Sequence, residues 1–278
     1  MKLDDNVIEN LFQGFHIPTK PEILEKVQNL AQTPNVDPAE VGRCIASDVG
    51  LSAAILKTLN SPFYGMARTV TDVTQATILL GVKSVLNLTA AIKIKDAMQG
   101  KSCISLERFW DSASEIANVM TYIGKKAKLT TPPEDLHIVG LFHDCGLPAM
   151  AIKFPDYVDT LKTAENNHER SIVQFEEERY NTNHTVVGYY IANSWGLPKE
   201  ICSVINQHHD TQALDHKVTP EFREIYACLK LACNIMEKTR RFKNSRDWPF
   251  VESAVLHSLG MSSLEYLDIE EDIMDMVS

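Results

Sequence analysis

Two dipeptides carry the chemistry in this chain. His143-Asp144 closes the apolar run Leu136-His137-Ile138-Val139-Gly140-Leu141-Phe142, His208-His209 lies downstream, and His184 falls between them. Imidazole nitrogens and a carboxylate suit Mn, Fe, Ni or Zn, and a divalent ion held this way activates water for attack on phosphate esters. The candidate metal residues are therefore His143, Asp144, His184, His208 and His209. A single histidine is more often a surface or hydrogen-bonded core residue than a ligand, and it is the set with Asp144 that points to a metal. His16, His137, His168, His216 and His257 have no such company and receive no role.

Helix ends must position these side chains. The pattern predicts a helix that carries His143 and Asp144 in its last turn and stops at Gly146, with Pro148 just beyond. Neighbours on a helix diverge by about 100°, so the pair can share a centre only beyond that end. Asn181-Thr182-Asn183 offers caps for a helix from His184 to Gly196, and Leu197-Pro198 opens another that ends in His208-His209.

The upstream pattern is also helical. Segments Pro21 to Gln32 and Asp48 to Leu59 present apolar faces at helical spacing, Asp37 caps a helix with Pro38 at its first position, and Thr71 or Asp72 caps another that Gly81 interrupts. Strand signals are scarce, so the fold class is all-α, with a soft division into 1–105 and 106–278 near Gly100 to Ser105. Leu264 to Met276 reads as an amphipathic helix, docked on its own domain in preference to detached.

Composition narrows the function. The 278 residues carry a net charge of −10, which disfavours general nucleic-acid binding. The basic run Lys238, Arg240, Arg241, Lys243 and Arg246 reads as a solvated helix end, without the interleaved stacking aromatics that single-strand binding requires. Six scattered cysteines without a CxxC pair favour reduced thiols. An acidic start and no apolar stretch near the roughly 18 residues of a membrane span predict a cytoplasmic protein with no membrane contact.

Further residues carry a family resemblance. Ile17-Pro18-Thr19-Lys20-Pro21, Ser47-Asp48-Val49-Gly50-Leu51, Leu59-Asn60-Ser61-Pro62-Phe63-Tyr64-Gly65 and Ala76-Thr77-Ile78-Leu79-Leu80-Gly81 resemble the opening of the HDOD domain, the HD-related output domain of bacterial signalling proteins. Phe109-Trp110, His143-Asp144, Trp195-Gly196-Leu197-Pro198 and His208-His209 continue the likeness over roughly residues 10 to 235. It implies an HD-domain-like helical bundle with an N-terminal helical subdomain. Against the wider HD superfamily of metal-dependent phosphohydrolases, Ser112 stands where the first metal-binding histidine is expected, Cys233 where the closing aspartate is expected, and Leu147 where a lysine usually follows. Asp111 and Glu115 are nearby carboxylates badly placed to compensate.

These departures favour a non-enzymatic signalling module acting through an unidentified protein partner, with self-association as an option. Its histidines then lock helix ends together or hold a residual divalent metal, and no cofactor is required. The alternative is a phosphodiesterase or phosphomonoesterase with an atypical site, and a third reading is small-ligand sensing in the remnant pocket. The Phe63-Tyr64-Gly65 segment reads as a buried staple in preference to a partner surface.

Overall fold

Proline and aspartate set where the first helices begin. In the computed structural model, which describes residues 15, 20–64, 66–167 and 169–277, α1 (Glu22–Ala31) follows Pro21. The first helical residue of α2 (Pro38–Ala46) is its proline, under an Asp37 carboxylate that accepts from the Ala39 amide at 2.9 Å. Asp48 caps α3 (Val49–Leu59) through the Leu51 amide and takes Lys93 at 2.7 Å from α5 (Val82–Ala97). Of Thr71 and Asp72, the aspartate caps α4 (Val73–Leu80), and Gly81 at φ 84° separates α4 from α5.

Beyond α3 the chain turns on itself. The Asn60 amide clasps the Val70 backbone with hydrogen bonds of 2.7 and 2.8 Å, and Pro62–Tyr64 makes one 3₁₀ turn. Tyr64 is buried, as the staple reading expects, whereas Gly65 and Ile17-Pro18-Thr19 lie outside the described residues.

The second part begins at α6 (Leu106–Lys126), capped by Ser105, followed by α7 (Pro133–Phe142), α8 (Gly146–Lys153), α9 (Tyr157–Asn166) and α10 (Ile172–Tyr180). The helices α11 (His184–Ser194), α12 (Lys199–Gln207), α13 (Pro220–Arg241), α14 (Trp248–Leu259) and α15 (Ser263–Val277) complete it. No strand occurs among the described residues, so the chain is all-α, and no described helix is long and apolar enough to cross a membrane. Two apolar clusters form the core: α5 gives Val85 and Leu88 to the one shared with α2 and α3, and Ala91 and Ile94 to the one formed by α6 to α15. The last helix is docked, burying Tyr266, Ile269 and Ile273, while Asp272 accepts from Tyr122 at 2.5 Å and Lys126 at 2.9 Å.

One departure concerns the helix bearing His143. It ends at Phe142, and Gly146 starts α8 instead of stopping α7. Pro148 is accommodated in the first turn of α8, where the missing N–H leaves no intrahelical bond unmade.

Helix α7 receives contacts from the N-terminal helices. Its Asp135 accepts from Asn87 of α5 at 2.7 Å, and its His137 meets Tyr64 edge-to-face at 5.5 Å. Where it crosses α6, a Cβ on Gly140 would lie 2.4 Å from the Ala117 Cα, a contact with backbone that cannot simply rotate away. Gly140→Ala should therefore destabilise the protein by about 2–3 kcal/mol, read as a lowered urea midpoint.

His137 is buried and its Nδ1 has no partner among the described residues, a state that only a neutral ring tolerates. Burial lowers its pKa to about 4. The unfolded chain takes up this proton near pH 6.5, before the folded protein does, so stability is present above that pH and is lost as pH falls towards about 4. His137→Gln should flatten this acid limb, whose full depth is about 3 kcal/mol, in denaturant titrations across that range.

Candidate metal centre

Three helix ends and one tight connection bring the histidines together. His143 is the residue just after α7, Asp144 follows in the short link to α8, His184 opens α11, and His208 follows α12 with His209 next to it. The sequence dictates these ends locally. Asn183 caps α11 by accepting from the Val186 amide at 2.9 Å, and Asn181 takes the left-handed conformation that closes α10. The role of Gly146 is close approach: a Cβ there would sit 1.9 Å from the His184 carbonyl oxygen, so only glycine lets α8 bring Asp144 against α11.

Every inner histidine uses its Nδ1 outside the centre. His143 donates from Nδ1 to the Gly140 carbonyl at 2.9 Å, His208 to the Ile205 carbonyl at 2.8 Å, and His184 to the Glu176 carboxylate at 2.7 Å. Carbonyl and carboxylate oxygens only accept, so these bonds put the proton on Nδ1 and leave the Nε2 lone pairs pointing inward. What they face is another acceptor, Asp144. Its Oδ1 lies 3.0 Å from His208 Nε2 and 3.4 Å from His184 Nε2, and its Oδ2 lies 3.2 Å from His143 Nε2.

Acceptors converging on one carboxylate need positive charge between them. Protons supply part of it: burial opposes charging His143 and His184, but carboxylates override burial, holding His143 well above the ordinary imidazole range through Asp144 and His184 at about 9 through Glu176 and Asp144. Burial and the neighbouring His209 push His208 the other way. A divalent cation would satisfy the same lone pairs, and the buried His184 Nε2 lacks a hydrogen bond among the described residues.

The geometry divides the five predicted residues. Ligand atoms of Asp144, His184, His208 and His209 all lie within 4.8 Å of one another, a donor set of three imidazoles and one carboxylate that fits Zn, Fe, Ni or Mn. His143 stands across Asp144, on its other oxygen. On that side Cys233 contacts His143, and the Arg240 guanidinium bonds Ser112 Oγ at 3.1 Å and pairs with Glu115. His143, Ser112, Cys233, Arg240 and Leu147 line a cavity of about 240 Å³.

Several supporting residues carry no sequence signal. Glu176, fully buried, accepts from Tyr157 and from both the backbone and ring nitrogens of His184, yet in sequence it belongs to an acidic stretch that resembles a solvated face. Asp247 receives the buried Lys230 at 2.5 Å and lies 3.8 Å from His209 Nδ1, and against burial the imidazole and the ammonium hold its carboxyl well below the usual range. Arg240, one of the basic run, faces the cavity instead of bulk solvent alone. His216 and His257 are exposed, and His16 and His168 lie outside the described residues.

Replacing the carboxylate behind His184 tests how the centre is held. Glu176→Gln removes the charge that fixes the imidazole and raises its basicity, so affinity for Zn or Mn should fall about 10- to 100-fold, measured by chelator competition, with helical circular dichroism retained.

Comparison with known proteins places this geometry in a family. The HDOD domain profile matches residues 17–211. An uncharacterized protein of Treponema pallidum (strain Nichols) is 24% identical over 196 residues, covering 70% of this chain and 38% of the relative, so the chain spans well under half of that protein's length. Among solved structures, an HDOD domain protein of unknown function from Geobacter sulfurreducens aligns with a TM-score of 0.67 at 22% identity, over 99% of this chain and 96% of the other. A Shewanella amazonensis protein provisionally named a phosphohydrolase aligns at 0.69 and 18% identity, over 96% and 93%, and a Marinobacter aquaeolei protein provisionally named a signal transduction protein at 0.66 and 18%, over 99% and 66%. At these identities the structural likeness speaks for the fold. With the profile spanning most of the chain and the His-Asp centre in the all-α frame described above, this protein belongs to the HDOD domain family.

Proposed function

We propose that this protein is a regulatory module that acts by binding another protein and not by turning over a substrate, and that its His-Asp centre holds a single structural divalent ion. The observation that carries this reading is the state of the His143 side. Where the phosphohydrolase pattern would supply a histidine and an aspartate, this side has Ser112 and Cys233, with the Arg240 guanidinium bonded to that serine. A guanidinium held there disfavours a second metal ion by direct repulsion.

The other side is complete, and its residues have a mechanical part to play. Asp144, His184, His208 and His209 come from the link after α7, the start of α11 and the end of α12, so a bound ion would cross-link three elements and supply Lewis acidity if substrate reached it. Glu176 and the backbone carbonyls hold the imidazoles, and Asp247 steadies His209. Because α7 also carries the Tyr64 and Asn87 contacts, a change at the centre reaches the N-terminal helices through one rigid element. The second reading, a phosphohydrolase with an atypical single-ion site, draws on this same intact half.

The test compares stability with turnover. Adding Zn or Mn at about 100 times Kd should stabilise the protein by about 2.7 kcal/mol, and His184→Ala should abolish the gain. With either metal, hydrolysis of bis(p-nitrophenyl) phosphate and p-nitrophenyl phosphate should match the His184→Ala background. Metal-dependent turnover that His184→Ala removes would instead establish the hydrolase reading.

A further inference from the structure

Five of the eight large apolar side chains exposed among the described residues fall between Phe242 and Met276. They form two faces of opposite charge. The first is the turn after α13. Phe242 interrupts the basic run, is 93% exposed, and adopts φ 56° at the position where α14 uses Gly260 at φ 63°. A bulky side chain in the left-handed region is strained, and no packing within the monomer compensates for a ring so exposed. Phe250 is 77% exposed on α14, and Arg246 between them has no carboxylate partner among the described residues.

The second face is the outer side of α15. Leu264 and Leu267 are exposed at 74% and 53%, and Asp268 and Glu271 lie beside them at spacings that place all four on one stripe. Neither acid has a salt-bridge partner among the described residues. One molecule thus carries an aromatic face with unpaired cation and an aliphatic face with unpaired anions, on neighbouring elements linked by the Lys238–Glu270 ion pair.

We infer that the Phe242–Phe250 face docks on the outer face of α15 of a second copy, each copy giving and receiving once, as a two-fold dimer requires. This pairing buries both exposed patches and sets the unpaired Arg246 of each copy against the unpaired acids of the other. An anionic lipid surface is less suited: it would gain the basic turn but meet the acids of α15 beside it. The inference stands whichever reading of the His-Asp centre holds. It bears on that centre, because the docked turn leads directly into Asp247, which lies beside His209.

The experiment is sedimentation velocity on the full chain from low to high micromolar concentration. A concentration-dependent dimer is expected, weakened about tenfold or more in Kd by Phe242→Ser or Arg246→Glu on one face and by Leu267→Ser or Glu271→Arg on the other. Because all four side chains are exposed, the variants should keep the parent circular dichroism. Mixing Arg246→Glu with Glu271→Arg should restore association, since each contact then joins opposite charges. A monomer throughout, a dimer indifferent to either face, or a monomer that binds anionic vesicles through Phe242 would each overturn the inference.

Discussion

The arrangement depends on one carboxylate surrounded by imidazoles whose outer nitrogens are already committed. Asp144 receives the Nε2 atoms of His143, His184 and His208 at 3.0 to 3.4 Å, and each ring's Nδ1 is tied to a carbonyl or to Glu176. The inward nitrogens therefore cannot rotate away from one another without breaking a buried hydrogen bond. Burying such a set without positive charge would be costly, so the centre takes protons or a cation and thereby couples charge to the relative position of three helix ends.

That coupling explains features that look unrelated along the chain. Gly146 allows α8 to touch α11 at the His184 carbonyl, Glu176 reaches from α10 to seize the same residue, and Asn183 fixes where α11 begins. Each acts on the orientation of His184. The same logic joins Asp247 and Lys230 to His209, where an ion pair rather than a backbone carbonyl supplies the support. The two sides of Asp144 differ: one gathers three imidazoles and a carboxylate that could hold a metal, and the other has a guanidinium held by Ser112 and Glu115.

Much of this was legible in the sequence because it depends on local rules. Helical periodicity and the caps at Asp37, Asp72 and Asn183 follow from side chains acting on amides two or three residues away, so the all-α class and several helix starts could be read directly. The residue types and order of His143, Asp144, His184, His208 and His209 pointed to the candidate centre, and Ser112 and Cys233 marked where the chain departs from the pattern the resemblance implies. Gly146 misled, because a glycine needed for contact between helices and one ending a helix look alike in sequence.

The tertiary structure decided what depends on elements far apart in the chain. Only packing could show that four of the five residues share a centre while His143 stands across Asp144, since that follows from the angle at which α7, α11 and α12 meet. Only packing could draw Glu176 from an acidic stretch into the core, or turn Arg240 from a basic run towards Ser112. Sequence determined which groups were available for chemistry, because donor type is a property of the residue; the fold determined which lone pairs converge, because convergence is a property of distance and direction.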